Sequence, residues 1–377
     1  MKLFIINTAK RQLGASFNIL ALWRLFRPWV LGVTFFAAVA VLALVLSIKY
    51  CAECNLFTVF FAYLPVWVVA LPLVGTLVFG LFFVCWRSIL LSILVAVSSV
   101  LWLGNYSFQW KSGIQARKAG VVLSLMSYNR GQGSPSVMSA FAAENQPDVA
   151  VFQDAPRRLN QMAALPEFLN HRFNNQIGEF VLLSRWPVLE SEPLKVAWPE
   201  HGSGMYVVGA RAVIDWNGRK IVIYNIHFPT PRDLLYWYGE HGTFLYGLLG
   251  VVPHTSFHKR HQQYLSAWTA RVELMTQLLS RALSESEPVV LMGDWNFPPT
   301  GKAYHAVIKS FQDAHRMAGK GFGHTFPGNL KSLGKIAAPW IRIDHVFASR
   351  HWNVLFANVS PKVGSQHLPI GACLTLK

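Results

Sequence analysis

The hydrophobic positions of this chain are concentrated in its first quarter. Runs without a charged residue occupy residues 29–48, 56–86 and 88–104. A helix that crosses a bilayer needs about 20 predominantly apolar residues, and these runs are close to or above that length. A buried helix of a soluble domain normally keeps a polar face, which these runs lack. The pattern predicts three membrane-spanning helices, the second tilted or kinked by Pro65 and Pro72.

The positions of Lys and Arg predict the orientation of these helices. One side of the membrane would carry the residues before the first run and the loop between the second and third runs. This side has more Lys and Arg than the other side, which would carry the loop between the first two runs and the residues after the third. Because cytoplasmic loops carry the excess of Lys and Arg, we expect the N-terminus to be cytoplasmic. Residues 1–28 would form a cytoplasmic segment, in which 11–27 can adopt an amphipathic helix on the membrane surface. Three crossings then place the linker 105–120 and the segment 121–377 outside the cytoplasm.

Cys51 and Cys54 lie in the short loop between the first two runs. In an oxidising compartment they could form a disulfide, which would agree with the predicted orientation. Two unpaired thiols fit the same spacing, so the sequence leaves both states open. Cys85 and Cys373 lie in apolar runs and are expected to be packing residues.

The composition agrees with a chain that is part membrane protein and part globular protein. Hydrophobic residues make up 53% and charged residues 14%, against roughly 45–50% and about 25% in globular proteins. The 26 Phe and 14 Trp residues exclude intrinsic disorder, and 4 Cys in 377 residues exclude a disulfide-stapled scaffold. The net charge of +16 favours nucleic acid, anionic lipid or phosphorylated partners, unless the cations only flank the membrane spans.

From residue 121 onward the pattern becomes that of an α/β domain. Short β-rich runs predict strands at 121–128, 149–152, 180–184, 207–215, 220–227, 289–292, 343–348 and 372–376. Longer amphipathic runs predict helices at 136–145 and 261–284. The segment 121–377 is long enough for one large domain with its own core.

Polar residues suited to metal and phosphate chemistry stand at the ends of the predicted strands. They are Asn129, Asp154, His227, Asp294, Asn296, Asp344 and His367. A single polar residue at a strand end is commonly a turn or cap residue. A whole set rich in Asp, Asn and His is better explained by one cleft on which the strand ends converge.

The motifs around these residues resemble, in order, those of the endonuclease/exonuclease/phosphatase superfamily. They are NRG at 129, PDVAVFQDA at 147, LLSRWP at 182, NIHF at 225, GDWN at 293, RIDHVF at 342 and SQHLP at 365. The resemblance covers essentially all of 121–377. It implies that the all-α transmembrane region is followed by an α/β four-layer sandwich, in which two mixed β-sheets pack face to face between outer helices. It also implies metal-dependent hydrolysis of a phosphoester.

The same resemblance implies roles for the residues that move protons and hold the phosphate. Asp294 would position or deprotonate the attacking water, and Asn296 would donate a hydrogen bond to the phosphate. His367, oriented by Asp344, would act on the nucleophile or the non-bridging oxygens. His227 would donate to the scissile phosphate.

The metal ligands implied by the resemblance are Asn129 and Asp154, which would bind Mg²⁺, or Mn²⁺ in its place, through amide and carboxylate oxygens. The cation would polarise the phosphoryl oxygen and stabilise the leaving oxyanion. Two positions depart from the family pattern. Asp154 stands where the family usually has Glu, and Gln366 replaces the Asp of its S-D-H motif, which removes a negative charge. One metal ion can still support activity, but an inactive domain also fits these departures.

Candidate substrate-binding residues lie near and outside the motifs. Arg130 could hold an anionic oxygen, and Phe326 could stack on a base. Residues 228–261 form a long segment rich in aromatic residues, including Trp237, and end in the cationic sequence HKRH. Such a segment suits a lipid interface, although it could also pack as a hydrophobic cluster on the domain.

These observations favour a membrane-anchored phosphatase or phosphodiesterase that acts on a lipid-linked phosphate. Three spans before a domain of this family resemble the VanJ-type teicoplanin-resistance proteins. That resemblance implies undecaprenyl pyrophosphate as the substrate, with a phospholipid headgroup as a close variant, and a multi-pass protein of the bacterial cytoplasmic (inner) membrane. The second interpretation is a membrane-tethered exported nuclease, which the positive charge supports. The third is a catalytically degenerate membrane binding protein. The expected partners are the bilayer and a lipid-linked phosphate, with nucleic acid second; no protein partner is inferred.

Overall fold

The computed structural model describes residues 19–108, 121–131, 135–198, 205–235, 242–328, 338–361 and 365–377. The chain divides into two compact units. The smaller unit comprises Met1–Val45 and Trp67–Leu101, and the larger unit comprises Leu46–Val66 and Trp102–Lys377. Residues 1–18 of the predicted cytoplasmic segment and residues 109–120 of the predicted linker lie outside the described residues.

The apolar runs form helices, two of which are long enough to cross a membrane. Helix α1 spans Ile19–Cys51 and is followed by a 3₁₀ turn, Ala52–Cys54. The two long apolar stretches are Arg24–Cys54 and Trp86–Leu103, the second of which is helix α4. The predicted transmembrane region is therefore helical. In the described part of the chain, two helices are long and apolar enough to span a membrane, and a bent helix pair would make a third candidate.

The second apolar run, 56–86, was predicted to form one tilted or kinked helix, but it is interrupted. Helix α2 covers Leu56–Ala62, and helix α3 covers Leu71–Phe82 after a 3₁₀ turn at Val66–Ala70. The break contains Pro65, which lacks the N–H group that an uninterrupted helix would need. The helices on its two sides form a sharply bent pair, either a broken span or a re-entrant loop.

Hydroxyl side chains join the helices of the smaller unit. Thr34 Oγ1 lies 2.5 Å from Ser88 Oγ, and Thr76 Oγ1 lies 2.9 Å from Ser92 Oγ. Large apolar side chains on the same helices, such as Phe36, are exposed. Buried hydroxyl pairs and an exposed apolar surface are typical of helices that pack against one another in lipid.

The larger unit contains two mixed six-stranded sheets. The described strands are β1 (Ser107–Phe108), β2 (Leu123–Asn129), β3 (Val149–Gln153), β4 (Phe173–Ile177), β5 (Phe180–Ser184), β6 (Val188–Ala197), β7 (Met205–Trp216), β8 (Arg219–His227), β9 (Val289–Asp294), β10 (Gln312–Asp313), β11 (Lys320–Gly321), β12 (Asp344–Ala348), β13 (Trp352–Val359) and β14 (Ile370–Leu376). The first sheet has the order β10-β12-β9-β8-β7-β6 and the second β13-β14-β2-β3-β5-β4, while β1 and β11 form a separate pair. Among these described strands, only β2 with β3 and β8 with β9 pair in parallel.

Helices cover the outer faces of both sheets, which gives the four predicted layers. The helices of this unit after β2 are α5 (Pro135–Asn145), α6 (Leu159–Ala163), α7 (Thr243–Leu249), α8 (Ser256–Leu283), α9 (Gly301–Ile308) and α10 (Ala314–Ala318). Between the sheets lies an apolar core that includes Leu125, Ile223 and Met292. Along each strand, side chains point alternately into this core and toward the outer helices, because successive side chains of a strand point to opposite faces. Helices α8 and α9 pack on the first sheet and α5 on the second.

Leu46–Val66 belongs to the larger unit, although it contains the end of the first apolar stretch and helix α2 of the bent pair. We call Leu46–Val66 the interspan segment. Its helix α2 buries Leu56 and Val59 against Trp268 of α8, with Tyr246 of α7 packed beside them. Cys51 and Cys54 form a disulfide in this segment. Of the aromatic segment 228–261, residues 236–241 with Trp237 lie outside the described part of the chain, and the flanking residues pack as a hydrophobic cluster against α2.

Candidate active site

Strand pairing brings the predicted polar residues together. Parallel pairing of β8 with β9 places His227 beside Asp294, and antiparallel pairing of β12 with β9 places Asp344 on the other side of Asp294. Asn129 ends β2, in the middle of the second sheet. Four side chains from three neighbouring strands and the opposite sheet therefore meet at one edge of the sandwich.

Asp294 lies at the centre of this group and is 1% exposed. Its Oδ2 accepts hydrogen bonds from Asn129 Nδ2 at 2.8 Å and from Asn296 Nδ2 at 3.2 Å. The Nε2 atoms of His227 and His367 lie 3.5 and 3.7 Å from the same oxygen. A buried carboxylate requires such donors, because an unpaired charge in the interior is costly.

His367 and Asp344 form a buried pair, with 3.0 Å between Nδ1 and Oδ2. Burial alone would lower the pKa of His367, but the carboxylates of Asp344 and Asp294 raise it to about 9. The imidazole is therefore a cation at neutral pH. Its Nδ1–H donates to Asp344, which leaves Nε2–H to face Asp294 and the cleft.

His227 has a partner that the sequence did not reveal. Its Nδ1 lies 2.9 Å from Oε1 of Glu179, in the turn between β4 and β5. Burial lowers the pKa of His227, but Glu179 and Asp294 outweigh this effect and raise it. Glu179 follows a strand whose polar composition gave no sign of a site residue, so only the pairing of β4 with β5 identifies it.

Oxygen atoms suited to a hard cation surround Gly131. A Cβ atom at Gly131 would lie 3.5 Å from Ser365 Oγ, 3.8 Å from Asp154 Oδ2 and 3.9 Å from Asn129 Oδ1. Asp154 is exposed and has a φ of +50°, a conformation that Asp and Asn adopt more readily than other non-glycine residues. A carboxylate, an amide and a hydroxyl oxygen around one open position fit a divalent cation such as Mg²⁺.

A second group could hold a cation by geometry alone. Ligand atoms of Asp294, Asp344 and His367 all lie within 4.8 Å of one another. These three groups are already joined to one another, because His367 Nδ1 lies 3.0 Å from Asp344 Oδ2 and His367 Nε2 lies 3.7 Å from Asp294 Oδ2. The group is therefore a second candidate cation site, beside the ligands Asn129 and Asp154 that the sequence predicts.

Asn296 adopts a left-handed backbone conformation, with a φ of +49°. Its Nδ2 donates to Phe228 O at 2.8 Å. Its carbonyl oxygen accepts from Tyr63 Oη at 2.9 Å and from Arg271 Nη2 at 3.1 Å. Contacts to both the side chain and the backbone thus fix the amide beside Asp294.

These side chains form the floor of a cleft of about 410 Å³. Its polar lining comprises Asn129, Asp154, His227, Thr230, Arg232, Asp294, Asn296, Gln366 and His367, and its largely apolar lining comprises Tyr63, Gly131, Pro231, Leu235, Phe326, Trp340, Ile341 and Ile343. The ring of Phe326 lies 5.1 Å from that of His367. Arg130 adjoins the cleft in sequence but is not among its lining residues. Tyr63 and Trp340 were not predicted, because neither follows a predicted strand.

Solved structures match this chain at low sequence identity and with TM-scores below 0.5. An endonuclease/exonuclease/phosphatase family protein from Bacteroides thetaiotaomicron is 15% identical, with 68% of this chain and 98% of that chain covered and a TM-score of 0.48. A mannosyl-6-phosphatase of the same organism is 16% identical, with 67% of this chain and 100% of that chain covered and a TM-score of 0.46. Truncated TDP2 of Caenorhabditis elegans is 17% identical, with 68% of this chain and 98% of that chain covered and a TM-score of 0.42. No curated protein matches the chain.

A sequence model of the family described as Endonuclease/Exonuclease/phosphatase matches residues 128–367, which is more than half of the chain. The matched region begins just before Asn129 and ends at His367, so it contains the residues of the cleft floor. Members of this family are phosphoester hydrolases and typically use a divalent metal. The chain therefore belongs to the endonuclease/exonuclease/phosphatase family.

Proposed function

We propose that this protein is a membrane-anchored, Mg²⁺-dependent phosphatase or phosphodiesterase that acts on a lipid-linked phosphate. The observation that carries the proposal is the composition of the cleft, in which a polar floor adjoins an apolar wall. The floor suits a phosphate group. The wall, formed by Tyr63, Leu235, Trp340 and Ile341, suits the hydrocarbon next to that phosphate.

The protein's own groups can bind the phosphate and move protons. Nε2–H of His367 and of His227 can donate to phosphoryl oxygens, and Nδ2 of Asn296 can do the same if it exchanges its longer bond, 3.2 Å to Asp294 Oδ2, for the substrate. Asp294, held by its donors, can orient the attacking water and accept its proton. Mg²⁺ or Mn²⁺, held by Asn129 and Asp154, would stabilise the charge on the phosphoryl and leaving oxygens.

Two features outside the cleft support a lipid substrate. Helix α1 ends in the interspan segment, and the interspan segment contributes Tyr63 to the cleft wall. The candidate span in α1 and this part of the wall are therefore close in sequence. In addition, Leu248 and Leu249 at the end of α7 and Val251 and Val252 just after it are exposed. An exposed apolar group of this kind can enter the bilayer interface beside an anchored domain.

The proposed location is the bacterial cytoplasmic membrane, with the larger unit on the extracytoplasmic side. The Cys51–Cys54 disulfide supports this placement, because structural disulfides persist in oxidising compartments. The excess of Lys and Arg in the N-terminal segment supports it independently. A reporter fused to the C-terminus tests the orientation, and a cytoplasmic signal would exclude the extracytoplasmic placement.

Hydrolysis by the detergent-purified full-length protein tests the activity. We would assay undecaprenyl pyrophosphate, a phospholipid panel and supercoiled plasmid, each with Mg²⁺, with Mn²⁺ and with excess chelator. The variants Asp294→Asn and His367→Gln remove groups of the floor. The matched controls are Asp233→Asn and His351→Gln, which alter exposed side chains outside the cleft lining.

We expect metal-dependent release of phosphate or headgroup from lipid, lost in both floor variants and retained in both controls. Nicking of plasmid with the same pattern would replace the lipid proposal with a tethered nuclease. A protein that binds lipid but hydrolyses none of these substrates would support the third interpretation, a degenerate binding protein.

A further inference from the structure

The loop that carries Asn296 is held from outside the sandwich. It follows β9 and leads into α9, and four hydrogen bonds join the loop and the first turn of α9 to the interspan segment and to Asn105. Tyr63 Oη donates to Asn296 O at 2.9 Å, and Asn105 Nδ2 donates to Pro299 O at 2.7 Å. The carboxylate of Glu53 accepts from the backbone N–H groups of Lys302 and Ala303 at 2.6 and 3.3 Å.

Of these contacts, the one from Tyr63 acts directly at the cleft. Asn296 is a non-glycine residue in a left-handed conformation, which costs energy unless neighbouring groups fix it. Its carbonyl oxygen has two donors, Tyr63 and Arg271. Fixing the carbonyl fixes the turn, and the turn determines where the side-chain amide points.

Tyr63 is itself held on both sides. Its ring lies 5.5 Å from the ring of Trp268, and its carbonyl oxygen accepts from Trp340 Nε1 at 3.3 Å. Trp340 lines the cleft with Tyr63. Packing against Trp268 of α8 and the hydrogen bond from Trp340 thus hold the Tyr63 hydroxyl group toward Asn296.

We propose that Tyr63 is a positioning residue for catalysis, which sets the Asn296 amide through the Asn296 carbonyl. The interspan segment is then part of the active site as well as a connection between apolar helices. This inference rests on the proposed function, since it assigns Asn296 a role in holding the phosphoryl group.

The test compares Tyr63→Phe with Tyr50→Phe in the full-length protein. Both variants lose only a hydroxyl group from the interspan segment. Tyr50 is half exposed, packs against the rings of Trp102 and His305, and does not line the cleft. The substrate is bis(4-nitrophenyl) phosphate with Mg²⁺, which is water-soluble, so that membrane binding does not affect the rate.

For Tyr63→Phe we expect kcat to fall about tenfold, because small displacements of positioned groups are costly in rate. KM should stay within about twofold, since the ring and the cleft are retained. In an Asn296→Gly background the same substitution should have no further effect, because the amide that it positions is gone. The midpoint of thermal unfolding should match that of Tyr50→Phe.

A second readout does not depend on turnover. Orthovanadate imitates the phosphoryl transition state, and Tyr63→Phe should weaken its Mg²⁺-dependent binding, measured by calorimetry, about tenfold relative to Tyr50→Phe. Equal kcat and equal vanadate affinity in the two variants would overturn the inference while leaving the proposed function intact. Wild-type protein that neither hydrolyses the ester nor binds vanadate would overturn both.

Discussion

Asn129 and Asp294 join the two sheets of the larger unit by a side-chain hydrogen bond of 2.8 Å at the edge of the sandwich. Asn129 belongs to β2 of one sheet and Asp294 to β9 of the other. The two ends of the Asn129 amide thus make different contacts. Its Nδ2 donates to the buried carboxylate of Asp294, while its Oδ1 accepts from Gly131 N at 3.0 Å and lies beside Asp154 and Ser365 around Gly131.

Substituting Asn129→Asp should create a metal-dependent defect in stability. The new carboxylate would lie beside buried Asp294, and an uncompensated buried charge typically costs about 3 kcal/mol. We expect the free energy of unfolding to fall by that order in excess chelator. Denaturant titrations with and without Mg²⁺ measure it. Mg²⁺ should restore part of the lost free energy of unfolding, since a ligand that binds the folded state stabilises it. An equal loss of stability with Mg²⁺ and with chelator would contradict the cation site.

Asp154→Asn should weaken metal binding without disturbing the turn. Asn tolerates the left-handed conformation of residue 154 as Asp does, but it brings no charge to the cation. We expect Mn²⁺ affinity, measured by electron paramagnetic resonance, to fall at least about tenfold, with the unfolding midpoint in chelator unchanged. Glu144→Gln, in α5 and outside the cleft lining, is the control. Unchanged Mn²⁺ affinity in Asp154→Asn would remove Asp154 from the ligand set.

The charge on His367 should appear in the pH dependence of hydrolysis. With a pKa of about 9 the imidazole is protonated below that pH and loses its proton above it. If Nε2–H donates to the phosphoryl group, the rate should fall as pH rises through about 9. Asp344→Asn removes a carboxylate that raises this pKa, so the alkaline limb should move down by about 1 to 3 pH units. An alkaline limb at the same pH in wild type and Asp344→Asn would exclude His367 as its source.

Buried neutral histidines should make the larger unit sensitive to acid. Burial is the main cause that lowers the pKa of His345, to about 3, and that of His171, to about 4. The unfolded chain binds these protons near pH 6.5, so stability should decrease as pH falls below about 6.5. His171 Nε2 lies 2.9 Å from Pro147 O, and within the described part of the chain its buried Nδ1 has no hydrogen-bond partner. A proton on Nδ1 would therefore be buried without an acceptor among those residues.

Denaturant titrations between pH 7 and 4 measure this effect. In His171→Gln the slope of unfolding free energy against pH should decrease by up to about 1.4 kcal/mol per pH unit, which corresponds to one proton. His351→Gln changes an exposed histidine and serves as the control. A slope in His171→Gln equal to that of the control would contradict the assignment.

The strands that the sequence predicted are the interior strands of both sheets. Each of the eight predicted runs overlaps one of β2, β3, β5, β7, β8, β9, β12 and β14. All four edge strands were missed: β4, β6, β10 and β13. Interior strands are covered on both faces and read as apolar runs, whereas the edge strands β4, β6 and β10 carry polar residues, and β6 also contains Pro193. The edge strand β13 is mostly apolar, so polarity does not explain why it was missed. Local hydrophobicity thus identifies interior strands more readily than edge strands.

The candidate site divides in a similar way. The polar residues that follow interior strands, such as Asp294 and His227, could be recognised from the sequence because the strand before them was visible. Glu179, Arg271 and Tyr63 could not, since each reaches the site by packing of distant segments. Tyr63 and Asn296 are 233 positions apart, and no local pattern records such a contact.

That separation has a consequence for biosynthesis. Tyr63 and its neighbours are made before most of the domain on which they pack, and translation at about 5–20 residues per second leaves roughly 10 to 50 s before Asn296 is added. During that interval Leu56 and Val59 have not yet met Trp268, which comes later in the chain. Until then α2 lacks the apolar surface that covers Leu56 and Val59 in the complete fold. Tyr63 is therefore made early, whereas the cleft that it lines is completed only after Asn296 and His367 have been added.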